Sequence, residues 1–136
     1  MKDWKIVKRN DFYLPKVDRW IMDTFGLDVS RAVVYQVILN KGYLCWTLDY
    51  FAMVLGYCKK TVQNILQQLC DMDIIIKHTV STNVDSSTPR RRTIYVARYT
   101  VEGERTEGEI DGLIEQGRER ILSDYFDGKI YKNRKS

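Results

Sequence analysis

The chain of 136 residues contains little histidine, cysteine or proline: one His, three Cys and two Pro. Because His78 is the only histidine, a zinc site of ordinary Cys and His spacing is not expected. The cysteines, Cys45, Cys58 and Cys70, are odd in number, and the first residues lack the apolar core of a secretion signal. No apolar run approaches the length of a membrane span. We therefore expect free thiols, no metal site and a cytoplasmic location.

Sequence motifs of catalysis are missing as well. The chain has no glycine-rich phosphate loop, no nucleophile elbow and no helix with paired His and Glu ligands. His78 lies on a predicted strand, where a surface or hydrogen-bonding role is far commoner than catalysis. A reactive tyrosine remains an open alternative among nine tyrosines, but such enzymes generally also need clustered Arg, His or metal-binding carboxylates. We expect a binding protein rather than an enzyme, with no catalytic residue and no cofactor.

Charge is divided unevenly along the chain. Residues 1–100 hold 15 Lys or Arg against 9 Asp or Glu, so this part carries +6. Residues 101–128 hold 3 against 9, which gives −6, and residues 129–136 add +4. A basic body with a separate acidic segment suits a protein that meets nucleic acid with one face and something else with another, although solvated faces without a partner would look the same.

The clearest helical pattern lies within residues 59–72. Apolar side chains recur there at the i, i+3, i+4, i+7 and i+8 spacing of one buried stripe. The opposite face has no acidic residue before Asp71. The stripe consists of Val62, Ile65, Leu66, Leu69 and Cys70, and the polar face of Lys59, Lys60, Gln63, Asn64, Gln67 and Gln68.

A second predicted helix precedes this one by about three residues. Thr47 is a good N-terminal cap, and Gly56 suits the left-handed position that ends a helix. Leu48, Phe51 and Leu55 are among its expected buried positions. So short a link forces two helices to cross steeply, as in a helix-turn-helix.

A β-hairpin is predicted next. Residues 74–80 and 93–99 are rich in β-branched and aromatic side chains, and residues 81–89 between them are polar and turn-forming. The alternation of Ile94 and Val96 with Tyr95 and Ala97 predicts one covered face. Arg90, Arg91 and Arg92 stand where the second strand leaves the loop.

Further elements are predicted on both sides of this unit. We expect an N-terminal arm whose Trp4 and residues 12–14 clamp onto the core, a helix over residues 16–24 ended by Gly26, and a helix capped by Asp28 or Ser30 that stops at residues 41–42. A short strand is predicted over residues 43–46. After a polar linker over residues 101–108, residues 109–127 form an acidic helix with a broad apolar side, followed by a disordered basic tail.

The acidic helix contains Gly112 and Gly117, and each glycine costs about 1 kcal/mol relative to alanine. A helix weakened in this way needs a partner surface. That partner is either the chain's own core or a second copy, so a homodimer through the 109–127 helix is one expectation.

The stretch from Cys45-Trp46-Thr47 to Ile74-Ile75 resembles the winged-helix family found in replication initiators and regulators of bacterial plasmids and phages. It contains Leu55-Gly56 and Thr61-Val62 in the order that this family uses at the turn and at the start of its second helix. The likeness covers residues 28–100. It implies a mainly α fold with a small β-hairpin (α+β), comprising an N-terminal segment over residues 1–26, a winged helix-turn-helix over residues 27–100 and a C-terminal helix and tail over residues 101–136.

The resemblance implies binding of double-stranded DNA by the second helix and the hairpin. Gln and Asn pair with adenine and Lys contacts guanine or phosphate, while the arginines contact the neighbouring backbone or minor groove. The alternative is a winged helix that binds protein, with the acidic helix as its docking surface. The candidate DNA-binding residues are Lys59, Lys60, Thr61, Gln63, Asn64, Gln67, Arg90, Arg91 and Arg92.

Overall fold

The structure, a computed structural model, describes residues 16–82 and 90–135, with side chains described for residues 16–81 and 92–124. The clamping role predicted for Trp4 and residues 12–14, and most of the predicted hairpin loop, lie outside the described residues. In chain order the elements are α1 (Arg19–Phe25), α2 (Val29–Lys41), β1 (Tyr43–Leu44), α3 (Leu48–Leu55), α4 (Lys59–Asp71), β2 (Ile75–Thr82), β3 (Arg90–Ala97), β4 (Tyr99–Thr100), β5 (Gly103–Glu104) and α5 (Glu107–Lys135).

The helix ends follow from capping residues. Asp28 begins α2, because its side chain accepts a hydrogen bond from the Arg31 amide, and Thr47 begins α3 by accepting one from the Tyr50 amide. Gly26 and Gly56 end α1 and α3 in the left-handed conformation that glycine adopts without steric cost. The predicted helix-turn-helix is therefore formed by α3 and α4.

The winged helix-turn-helix arrangement is present. β1, β2 and β3 form an antiparallel sheet in the order β1-β3-β2, and the register of the hairpin pairs Ile75 with Ala97 and Thr82 with Arg90. β1 is shorter than predicted, since only Tyr43 and Leu44 pair with β3. The fold class expected from the sequence is confirmed.

The prediction that one face of the hairpin is covered is wrong, because both faces are. Tyr95 and Ala97 belong to the main core with helices α1 to α4. Ile94 and Val96 point to the other side and share a second buried cluster with Val80 and with Ile121 of α5. A strand with four consecutive buried residues, 94–97, is what a sheet between two helical layers requires.

The C-terminal helix also differs from its prediction in length. It begins at Glu107 and runs to Lys135, so it includes most of the stretch expected to be a disordered tail. The predicted polar linker before it contains β5, which pairs antiparallel with β4 just ahead of the linker.

The partner of this helix is the chain's own sheet. Ile110 and Ile121 are buried, and Leu113 and Ile114 pack against the second cluster. Of the two partners that the sequence allowed, the chain's own core therefore covers the described apolar side. Within the residues described, no helix is both long enough and apolar enough to cross a membrane.

Candidate nucleic-acid interface

The polar face of α4 is exposed, as its periodicity predicts. Val62, Ile65, Leu66 and Leu69 are buried on one side of the helix. The six candidate side chains of this helix all lie on the exposed side: Lys59, Lys60, Thr61, Gln63, Asn64 and Gln67.

Several side chains on this face already have partners within the chain. The Lys59 ammonium lies 3.4 Å from an Asp49 carboxylate oxygen, and the Gln67 amide donates to Asp71 over 2.9 Å. Gln68 accepts a hydrogen bond from the Arg31 guanidinium. The contacts of Lys59 and Gln68 tie α4 to the starts of α3 and α2.

The side chains in the middle of the same face differ from these. Within the described part of the chain, the side chains of Lys60, Gln63 and Asn64 form no hydrogen bond or ion pair with another residue. Because they lie at i, i+3 and i+4, they project in nearly the same direction from the helix. The polar groups of these three side chains can therefore bind a partner outside the chain.

Cys58 occupies the position just before the first residue of α4. Its side chain makes no capping bond to the backbone, and its thiol instead lies 2.9 Å from the Thr61 hydroxyl. This hydrogen bond lowers the pKa of the exposed Cys58 thiol, and weaker backbone contacts act in the same direction. Thr61, one of the candidate DNA-binding residues, therefore has a hydrogen-bond partner within the chain.

A groove of about 370 Å³ separates α4 from the hairpin. Lys59 and Gln63 line its helix side, while Lys77 and Arg92 line its hairpin side. Thr47 and Asp49, at the start of α3, also line it. Three cations against one carboxylate give this groove an excess of positive charge.

Lys77 lines the groove but is not among the candidate residues predicted from the sequence. Its exposure is readable from β2, where Ile75 is buried at the start of the strand and Lys77 and Thr79 are exposed further along. What the sequence did not supply was the distance between this strand and α4, which depends on how the hairpin packs on the helices.

The three arginines of the hairpin occupy consecutive positions at the start of β3, and among them the side chain of Arg92 is described. Arg90 and Arg91 pair through their backbone with Thr82 and Ser81 at the turn end of the hairpin. The Arg92 guanidinium instead donates to the Cys45 carbonyl over 2.7 Å, just beyond the end of β1. Arg92 therefore joins β3 to the α3 side of the sheet as well as lining the groove.

Arg31 is a second cation that the sequence reasoning missed. It forms an ion pair with Asp28 at 2.6 Å, besides its bond to Gln68. The backbone hydrogen bond from Arg31 is the largest of the contacts that lower the pKa of Asp28. Its position in the first turn of α2 gave no sign that it reaches α4.

Within residues 16–82 and 90–135, no three His, Cys, Asp or Glu side chains are grouped as metal ligands. Cys45 and Cys70 are partly buried, and burial raises the pKa of each thiol. Cys70 lines the groove between α4 and the hairpin.

Comparison with known proteins gives limited likenesses. No protein-family model matches the chain, and no curated protein matches it. One similar solved structure is a possible transcriptional regulator from Methanosarcina mazei Go1, with 18% identity and a TM-score of 0.42 over 82% of this chain and 83% of that one. Another is a MarR-like transcriptional regulator from Thermotoga maritima, with 18% identity and a TM-score of 0.41 over 96% of this chain and 91% of that one.

Proposed function

We propose that this protein binds double-stranded DNA with sequence preference, through α4 and the hairpin, and acts as a transcription regulator or replication-associated factor of bacterial, plasmid or phage origin. The observation that carries the proposal is the exposed face of α4, where Lys60, Gln63 and Asn64 have no partner within the described residues. Amide side chains at this spacing can pair with adenine, and lysine can contact guanine or phosphate.

The groove beside α4 supports the same proposal. Lys59, Lys77 and Arg92 surround it, and cations at this position would lie beside the phosphates that flank a helix inserted in the major groove. In such a complex, phosphate contacts would fix the position of the protein on the DNA, and base contacts would supply the sequence specificity.

The experiment that tests this proposal is selection of bound sites from a pool of random duplex DNA with the full chain. The expected result is enrichment of a short motif, with binding that weakens as salt rises. If repeated rounds enrich no motif and affinity does not exceed that of a similarly basic control protein, sequence-specific binding is excluded. Specific capture of a protein partner in its place would favour the winged-helix interaction module.

A homodimer remains part of the proposal, with the mass of the protein–DNA complex as its measurement. Because Ile110 and Ile121 are buried in the chain's own core, two copies would have to meet through other residues of this helix or through another surface. A mass of two chains per site, with an enriched motif that is palindromic, would support the dimer. One chain per asymmetric site would exclude it.

A further inference from the structure

The direction of α5 across the sheet is fixed by its contacts. Near its start, Leu113 lies beside Gly42, which precedes β1 at the end of the sheet remote from the hairpin turn. One turn later Gly117 meets Ile94, and then Arg120 and Asp124 lie around the same cavity as Arg92.

This sequence of contacts runs along β3 towards the hairpin turn, because Ala97 pairs with the start of β2 and Arg90 with its end. Beyond Asp124 the backbone of α5 continues as helix through Lys135. Eleven further residues extend the helix by about 16 Å. Only two residues of β3 separate Arg92 from the described end of the strand, a length of about 7 Å. The end of α5 therefore reaches the turn end of the hairpin or beyond it.

Charge changes sign along the same direction. Residues 107–124 of the helix contain six Asp or Glu against two Arg. Residues 125–135 contain one Asp against four cations, Lys129, Lys132, Arg134 and Lys135. The acidic part thus lies over the sheet, and the basic part begins where the helix passes Arg92.

From this arrangement we infer that the last three turns of α5 form a third DNA-contacting element, which binds phosphates beside the hairpin. The inference rests on the proposed function, because it assumes that the hairpin end of the molecule faces DNA. It also accounts for the segregated charge: acidic residues placed away from the duplex avoid repulsion, and the basic end adds attraction. The partner of this element is the phosphate backbone, so its contribution is independent of sequence.

The test compares two doubly substituted full-length proteins on a duplex that carries the selected motif. Lys132→Gln with Lys135→Gln removes two charges from the end of α5. Lys16→Gln with Arg19→Gln removes the same charge beside α1, where Trp20 and Phe25 line a cavity with Tyr99, remote from the hairpin turn. Fluorescence anisotropy over a range of salt concentrations gives the salt slope of each protein.

We expect the α5 substitutions to reduce the magnitude of the salt slope by up to about 1.8, or about 0.9 for each lost phosphate contact. The α1 substitutions should leave the slope near that of the unchanged protein. Lys132→Arg with Lys135→Arg keeps the charges and should retain the slope, and circular dichroism checks that all variants are equally helical.

An unchanged slope in the α5 variant, or an equal reduction in both glutamine variants, would overturn the inference while leaving the proposed function standing. If the unchanged protein itself shows no salt-dependent DNA binding, the proposed function fails and this inference fails with it. The two failures are therefore distinguishable in one set of titrations.

Discussion

Gly117 of α5 lies directly against Ile94 of β3. A Cβ atom placed on Gly117 would come within 2.9 Å of the Ile94 Cγ2 atom, closer than side chains tolerate. Ile94 is fully buried and β-branched, so it has little freedom to move away. The absence of a side chain at residue 117 is what lets the helix approach the sheet.

Gly117→Ala is expected to leave the protein less stable than, or only as stable as, the unchanged protein. Overpacking in a core costs about 1–3 kcal/mol, and this loss outweighs or cancels the gain of about 1 kcal/mol from replacing a helical glycine. Gly112→Ala is the matched control, because nothing lies within 4 Å of a Cβ at that position. In urea unfolding, Gly112→Ala should be more stable than the unchanged protein. Gly117→Ala should be less stable than Gly112→Ala. Equal stabilisation by both changes would contradict the close approach.

Gln63→Ala and Asn64→Ala are expected to relax sequence preference more than they weaken binding to DNA in general. Each lost bidentate contact to a base removes about 1–3 kcal/mol of discrimination. Gln68→Ala is the control on the same helix, since Gln68 is engaged by Arg31. Competition between the selected duplex and a scrambled duplex measures the effect. A larger loss of discrimination in Gln68→Ala would place the reading face elsewhere.

Arg92→Ala is expected to lower both stability and affinity for all sequences. It leaves the Cys45 carbonyl without its charged donor, which costs about 1–2 kcal/mol, and it removes one cation from the groove. The salt slope should fall in magnitude by about 0.9. Arg92→Lys separates the two effects, because it keeps the charge but lacks the guanidinium geometry. If Arg92→Ala unfolds in urea like the unchanged protein, the bond to Cys45 contributes nothing.

Cys58 should be the first cysteine to react with iodoacetamide near neutral pH. Its thiol is exposed, and the Thr61 hydroxyl lowers its pKa, whereas burial raises the pKa of Cys45 and Cys70. Thr61→Val removes the hydrogen bond, so the pKa should rise and labelling at residue 58 should slow at fixed pH. Peptide mass spectrometry after brief labelling gives the order of reaction, and Cys70 reacting first would refute it.

Tyr35 should make the protein sensitive to alkaline pH. Its buried hydroxyl donates to the Tyr99 carbonyl over 2.7 Å and accepts from the Tyr99 amide, and burial raises its pKa to about 12. Because the folded state holds the neutral phenol, the stability from this shift is complete below about pH 10 and is lost as pH rises towards 12.

Tyr35→Phe should reduce the loss of stability that occurs as pH rises towards 12. It should also lower stability at neutral pH by about 1–3 kcal/mol, because the Tyr99 backbone loses its partner. Tyr50→Phe, at an exposed site, is the control and should change neither quantity. Urea unfolding at several pH values provides the measurement, and an unaltered alkaline profile in Tyr35→Phe would count against the assignment.

Much of the local structure could be predicted because its causes are local. The Thr47 cap, the Gly56 stop and the apolar stripe of α4 lie within a few residues of the elements that they define. The same holds for the exposed face with Gln63 and Asn64, although its role in DNA binding remains a prediction.

The predictions that were wrong or incomplete depend on packing between residues that are far apart in the sequence. The predicted covered face of the hairpin became two covered faces because α5 lies on the second, and the predicted tail became helix up to Lys135. Arg92, predicted to contact DNA along with Arg90 and Arg91, also bonds to Cys45, 47 residues away in sequence. The periodicity of apolar residues carries no information about a contact between residues so far apart in the sequence.

The sequence by itself determined where α3, α4 and the two strands of the hairpin form and which side chains α4 buries, since periodicity and capping are properties of neighbouring residues. Only the tertiary structure decided that α5 packs on the chain's own sheet, that Gly117 meets Ile94, and that the basic end of α5 lies on the hairpin side. Those outcomes depend on which surfaces fit each other, and that fit requires the positions of all the elements together.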